Sequence, residues 1–474
     1  MLMKIVRIGL PFLLSCSCIT AKHQEVHGRS FLVTRPAYQH SSTQQSLWHN
    51  FIYDKKGNMH ASAQVTGIYQ KSRESEKVER YFLPGRENQL LVAGDDTNKK
   101  DCRNIRAEWL NLPSDFQGTL SISPEQRQVG AILEYNQDVK KFIDFALFEN
   151  WWVSLILPVM QVKNKLNLSQ HNVFNPGTTP RDIIEAFNQE QWCYDRIVDE
   201  RKRTELAEVT LRLGSHFLAE EYNQIDYYSG ISLPTSRKTN PKYLFDAVTG
   251  LGGHTGINAG INFQFLLNKD PQSVALCFFL HLDETWVMRS KHNRTFDLKG
   301  KPWSRFMLYN TQGCNAQANV PGVNLLTLRM RVRPWNRSDF SCGWRLIIEK
   351  NLELELGYNL WGHDEEQVKF LDYVPFPECF GIAGSELGKT ASASTICNQA
   401  EDDEEFVIIR RNDIDLRSGR AGSALNHKVH GSIGYQHFGE SFSGFFGAGW
   451  FIEIPQKNGA LKTWGTWGKV GASF

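Results

Sequence analysis

The final stretch of the chain, Trp464-Gly-Thr-Trp-Gly-Lys-Val-Gly-Ala-Ser-Phe474, alternates in a way that constrains the fold more than any other feature. Stepping back by two from the end gives Phe474, Ala472, Val470, Gly468, Thr466 and Trp464 on one face. The other face carries Ser473, Gly471, Lys469, Gly465 and Thr463, with Trp467 its only large apolar residue. Side chains alternate across a strand, so this segment has one apolar face closed by an aromatic at each limit. Ten residues at about 3.3 Å each, tilted by roughly 45°, rise about 25 Å, which matches the apolar band of a barrel wall between two aromatic girdles.

The same period recurs upstream. Ile257, Ala259, Ile261, Phe263 and Phe265 oppose Asn258, Gly260, Asn262 and Gln264, a separation that a helix would scatter. Ala207–Leu213, Val274–Asp283, Leu326–Arg333, Trp344–Glu349, Leu352–Asn359, Val429–Gln436 and Phe442–Ile452 follow the same rule. The last of these joins the terminal strand through a turn containing Asn458-Gly459. About fourteen strands are expected between residue 115 and the C-terminus, with 12–16 as the range. Further candidates lie at 60–71, 87–94 and 105–111.

At the N-terminus, Lys4 and Arg7 precede an apolar run, Ile8–Leu14, and then small residues up to Ala21. That order is a secretory signal peptide over residues 1–21, with cleavage expected after Ala21. A lipoprotein signal at Cys16 is the competing reading. These three features, the leader, the dyad strands and a strand ending in Phe474, resemble those of bacterial outer-membrane β-barrel, porin-like proteins. The resemblance implies an all-β transmembrane antiparallel barrel over residues 59–474, with Phe474 as an assembly signal. It also implies outer-membrane lipids and the barrel-assembly machinery as partners, in the outer membrane of a Gram-negative cell. Residues 22–58, polar and rich in His, Gln and Ser, form a lead that is either a plug or a tail.

Composition agrees with such a barrel without selecting it. A mean hydropathy of -0.40 alongside 29 Phe and 13 Trp is what a wall with only alternate residues in lipid should show, and a soluble β-rich protein could show it too. A net charge of +2 gives no basic patch for nucleic acid. If the C-terminus lies in the periplasm, the short links at 218–223, 268–273, 350–351 and 438–441 fall on that side. The long ones at 163–203, 236–255, 288–302 and 363–425 then fall outside. Thr179-Pro180 followed by Arg-Asp-Ile-Ile-Glu-Ala-Phe187 reads as a short helix with Thr179 as N-cap, within one of the long links.

Charged rows on the polar faces are the candidate channel lining: Arg329, Arg331 and Arg333 on one strand, Arg345, Glu349, Glu353 and Glu355 on the next hairpin, and Glu208 with Arg212. In a wide barrel such rows line a water-filled path and set ion selectivity. In a narrow one they pair and fill the interior. Passive passage of small polar or ionic solutes is the expected function. The rivals are a non-conducting barrel acting through its external loops, and a secreted soluble binding protein. Trp151, Trp152, Trp286, Trp303, Trp361, Trp450 and Trp464 lie near strand limits and read as an interfacial girdle.

Other chemistry is thinly marked. Cys379 and Cys397 close a short loop and could form a disulfide. No Cys/His spacing suggests a metal, the acidic run at 401–405 matches no calcium loop, and no cofactor motif occurs. Leu251-Gly-Gly-His254 lacks the strand-to-helix context of a phosphate loop. His216, His254, His281 and His430 are isolated in sequence. His430 and Ser432 share a polar face but carry no nucleophile motif, so no enzyme is expected.

Overall fold

The computed structural model describes residues 28–41, 43, 59–73, 76–85, 88–141, 150–172, 179–268, 273–311, 319–374, 376–383, 406–439, 441–456 and 459–474. Residues 1–21, where a signal peptide is expected, the acidic run at 401–405 and Cys397 lie outside these residues. The Cys379–Cys397 pairing therefore lies outside them too.

Twelve antiparallel strands form the wall. The first four are β1 (Ala61–Ser72), β2 (Glu125–Asp138), β3 (Trp151–Lys165) and β4 (Glu208–Ala219). Next come β5 (Gln224–Pro234), β6 (Gly256–Leu266), β7 (Val274–Val287) and β8 (Trp335–Ile348). The last are β9 (Leu352–His363), β10 (Ala424–His437), β11 (Ser443–Pro455) and β12 (Thr463–Ser473). Each pairs with its neighbours in sequence, and β1 also pairs with β12, which closes the ring. The seam extends to the last residue: the Phe474 carbonyl accepts from the His60 and Ala61 amides, both at 2.9 Å.

The alternation that defines these strands decides their two faces. On β1, Ser62, Gln64, Thr66, Ile68, Gln70 and Ser72 are buried, while Ala63, Val65 and Gly67 are exposed. On β11, Phe446, Ala448, Trp450, Ile452 and Ile454 are exposed, and Phe451 and Glu453 are buried. The barrel is therefore apolar outside and polar inside, the inverse of a water-soluble sheet. Inward aromatics fit because the neighbouring strand offers glycine: a Cβ on Gly260 would lie 2.2 Å from the Tyr228 ring, and one on Gly449 2.5 Å from Trp467.

One strand is interrupted for a local reason. Pro158 sits inside β3 and has no N–H to give. Its carbonyl accepts from Ala207 at 2.8 Å, and the partner segment breaks there into Glu200–Leu206 and β4. This extra strand lies beside β3 outside the ring of twelve.

The expectation of about fourteen strands is thus corrected to twelve. Part of the excess is a strand that forms but leaves the wall: Thr327–Arg333 pairs with Ser290–Thr295 and Gln367–Phe370 beyond the end of the barrel. The connections at that end build a cap with an apolar core of its own, in which Trp192, Trp303, Phe82, Phe187 and Phe306 are fully buried. The expected helix is shorter than predicted, Ile183–Ala186, and its N-cap is Asp182 rather than Thr179. Its Ile183 and Ala186 pack into the cap core, away from the barrel mouth. Among the described residues, the opposite end carries brief turns such as 220–223 and 349–351.

Val65 lies mid-strand on the outer face, 42% exposed. Val65→Arg should cost roughly 2–4 kcal/mol in urea unfolding from phospholipid vesicles, against about 1 kcal/mol for Val65→Ala. Equal losses would mean that this face does not meet lipid.

Candidate functional site

A ring of eight strands can be filled by its own side chains, whereas twelve leave space at the axis. Here the chain itself occupies that space. Residues 28–30 are tied to the cap: Arg29 N donates to Tyr81 O at 3.0 Å and Ser30 N to Ser418 O at 2.8 Å. The segment then runs into the lumen, where Arg35, Ala37, Tyr38, His40, Ser41 and Thr43 are all buried. Residues 59 and 60 emerge at the opposite end, beside the C-terminus.

Arg35 is the anchor. Its guanidinium donates to Asp339, to Glu453 at 2.8 Å and to Asn359 at 3.0 Å, drawing β8, β9 and β11 onto one side chain. Ser41 Oγ donates to Asp339 at 2.6 Å. His40 contacts Gln70 Oε1 at 2.7 Å and packs at a tilt against the Phe451 ring, with centroids 4.2 Å apart. Gln128 holds the backbone from the other side, accepting from Ala37 N at 2.8 Å and donating to Arg35 O at 2.9 Å.

Beside and below this stopper the wall charges pair among themselves. Arg345 reaches Glu355 at 2.7 Å, Glu353 at 3.3 Å and Gln264 at 2.6 Å. Arg212 lies 3.7 Å from Asp283 and over the Tyr228 ring, whose hydroxyl donates to Asp283 at 2.5 Å. Glu208 is buried beside Tyr38 in the upper lumen. Among the described residues, the lumen wall carries five cations, Arg212, Arg337, Arg345, Lys428 and Lys469. Against them stand eight carboxylates: Glu134, Glu208, Asp226, Asp283, Asp339, Glu353, Glu355 and Glu453. The wall is acidic, and Arg35 of the stopper offsets one charge.

Of the residues expected to line a channel, Arg345, Glu353, Glu355, Glu208 and Arg212 share the lumen. The others do not. Arg329, Arg331 and Arg333 lie on the strand beyond the wall, with Met330 and Val332 buried behind them in the cap core. Period two was right for that strand, but its apolar face meets protein and its arginines meet solvent. Glu349 sits in the turn after β8 at φ 50° and is exposed.

The tryptophans divide in the same way. Trp286, Trp450 and Trp464 lie on the outer face of the wall, Trp286 and Trp450 being 41% and 45% exposed, and Trp151 faces outward at the start of β3. Trp152 and Trp361 instead point into the lumen, 3% and 2% exposed, and Trp303 is buried in the cap. They are corrected from girdle to packing residues, because each lies on the inward parity of its strand or off the wall altogether.

His430 meets Ser341 at 3.2 Å and Glu355 at 3.5 Å, rather than Ser432. This is a serine–histidine–carboxylate order, but neither of two cavities found among the described residues reaches it. Those cavities are about 30 and 40 Å³, room for a water or two each. One lies between the stopper's entry and the cap, lined by Phe31, His254, Arg294 and Glu366. The other lies beside Tyr38, Arg212, Asp283 and Arg337. Nothing in the sequence marked residues 28–43 as their neighbour, since that segment has no period.

No family model matches the sequence, and no curated protein matches it either. Among solved structures, an outer membrane channel from Pseudomonas putida F1 is similar at 10% identity, over 88% of this chain and 96% of that one, with a TM-score of 0.35. The transport unit of the autotransporter AIDA-I from Escherichia coli aligns at 9% identity over 93% and 99%, with a TM-score of 0.35. A FadL homologue from Pseudomonas aeruginosa aligns at 7% over 95% and 99%, with a TM-score of 0.30. The described wall is itself a closed antiparallel β-barrel with an apolar exterior and a polar lumen.

Where the stopper enters, His254 and His292 stack with centroids 4.3 Å apart. Burial pushes His254 down to about 4 and His292 down to about 2, and each ring is held by a neighbour, Met288 O and Thr239 Oγ1, both at 2.9 Å. Because the folded values lie below the unfolded one, this stabilisation is complete above about pH 6.5 and lost as pH falls toward 4. Burial of Asp195 in the cap raises it to about 6, which acts in the opposite sense over the same range. Thermal unfolding from pH 7 to 4 should therefore show wild type losing up to roughly 3 kcal/mol more than His254→Gln. Parallel curves would contradict the buried neutral pair.

Proposed function

We propose that the protein is an outer-membrane channel held shut by its own N-terminal segment, passing small polar or ionic solutes when residues 28–43 leave the lumen. The observation that carries this reading is the character of the space the segment fills. Gln70, Gln126, Gln128, Asp339, Asn359 and Glu453 meet it with hydrogen-bonding groups, so its removal would leave a wetted path rather than an apolar void. The apolar exterior supports membrane insertion. The contrast between brief turns at one end and a capped end at the other supports placing the cap outside the cell.

The wall's excess of carboxylates implies a preference for cations in the open state, since rings of acidic side chains favour them. This replaces the anion preference that an arginine-lined path would have had. A hydrophobic solute would need an apolar lining, which the inward faces do not provide.

The test is planar-bilayer conductance of refolded protein. Wild type should be silent or open rarely, and a variant lacking residues 22–43 should conduct in steps with cation preference. Arg35→Ala should fall between the two, because it leaves Asp339 and Glu453 buried without their cation, a defect of roughly 3–5 kcal/mol. A deletion variant that inserts and stays silent would defeat the channel reading. It would favour the second one, a surface-interaction barrel working through the cap, which the cap's own core supports.

A further inference from the structure

The three-stranded sheet above the barrel continues the wall: Ser290–Thr295 follows β7, Thr327–Arg333 leads into β8, and Gln367–Phe370 follows β9. Its inner face, with His292, Arg294, Met330, Val332 and Val368, is buried. Its outer face is basic. Lys291 is directly opposite Arg331, and Arg331 is directly opposite Lys369, so three cations stand abreast. Arg329 and Arg333 flank the middle one. Like charges facing one another across strands destabilise a sheet. Among the described residues one exposed carboxylate, Asp372, is ion-paired with this row, 3.7 Å from Arg331.

What lies below the row identifies its complement. Trp286, Met288 and Trp335 are 41%, 47% and 38% exposed at the upper limit of the lipid-facing wall. Trp335 takes φ 67°, which re-phases the alternation and turns its ring outward. The Arg333 guanidinium lies 3.5 Å over that ring, and the Lys291 ammonium lies 4.9 Å from the Tyr373 ring. The cations therefore stand on the same outward side as the apolar belt and one layer above it, at the depth of lipid head groups.

We propose that this face binds the phosphates of an anionic glycolipid in the leaflet at the capped end. The row spans three strands, so it can meet more than one phosphate of a broad head group. Its arginines present planar donors suited to phosphate oxygens. The proposal rests on the membrane reading of the barrel but not on conductance.

The experiment uses the full chain refolded into phosphatidylcholine nanodiscs, with added lipid A counted by native mass spectrometry. Folding is checked by heat-modifiable gel migration. Wild type should retain lipid A with an affinity that falls as salt rises. Each cation removed should weaken it about fivefold, so Lys291→Gln/Lys369→Gln should lose about 25-fold and Arg329→Gln/Arg331→Gln/Arg333→Gln more than 100-fold. Arg331→Lys, which keeps the charge but loses the planar donors, should weaken binding less than Arg331→Gln. Folded variants that keep wild-type affinity, or wild type that does not prefer lipid A to its dephosphorylated form, would overturn the proposal. Protein that fails to insert into phosphatidylcholine at all would overturn the membrane reading and this inference with it.

Discussion

In hydrocarbon no water waits to satisfy a free strand edge, so a sheet there must close on itself. Everything else in this molecule follows from where the closure occurs. The joint between β1 and β12 is made by the last residues of the chain, with Ala61 and Phe474 exchanging backbone hydrogen bonds at 2.9 Å. Closure at twelve strands then sets a diameter too large for inward side chains to fill. The polar inward face required by lipid outside becomes a polar cavity inside, and something must occupy it. In this structure the occupant is the chain's own lead, tied by Arg35 to three strands at once.

Arg35 fixes the place of the segment in the lumen. A guanidinium buried with two carboxylates and an amide keeps those partners only while the segment stays in place. Net stability from a buried ion pair is small, because desolvation offsets most of the attraction, whereas breaking it on one side only is costly. The arrangement therefore defines one position for the segment without adding much to its depth. The wall charges beneath it, Arg345 with Glu353 and Glu355, pair without it, so the lower lumen does not depend on the stopper for its electrostatic balance.

The wall was largely legible in the sequence because its signal is a period, which the register shift at Ile225 and Asp226 interrupts but does not erase. From Ile257 to Phe265 and from Thr463 to Phe474 the predicted inward and outward faces are those observed. The cap was not legible, and the lead was legible only as a plug or a tail. Residues 28–43 bind through single side chains to groups hundreds of positions away, and no local pattern records such pairings. In the cap, Trp303 and Phe187 meet only because distant loops converge. The strand Thr327–Arg333 failed differently: its alternation is as clean as any in the wall, yet alternation says only that two faces differ.

Which solvent each face meets is decided by position, and the sequence held a trace of that too. Pro334 separates Thr327–Arg333 from β8, and a proline cannot donate within a continuous wall strand. The break, reinforced by the left-handed Trp335, lets one strand leave the wall's hydrogen-bond pattern and begin another above the lipid. Below the break, a row of arginines on the outer face would stand in hydrocarbon at a cost no barrel sustains, and above it the same row faces water and head groups. The inward-pointing charges of a barrel are obliged to be there. Arginines placed outward, just past the last exposed tryptophan, are free of that obligation, so their position is evidence of a use.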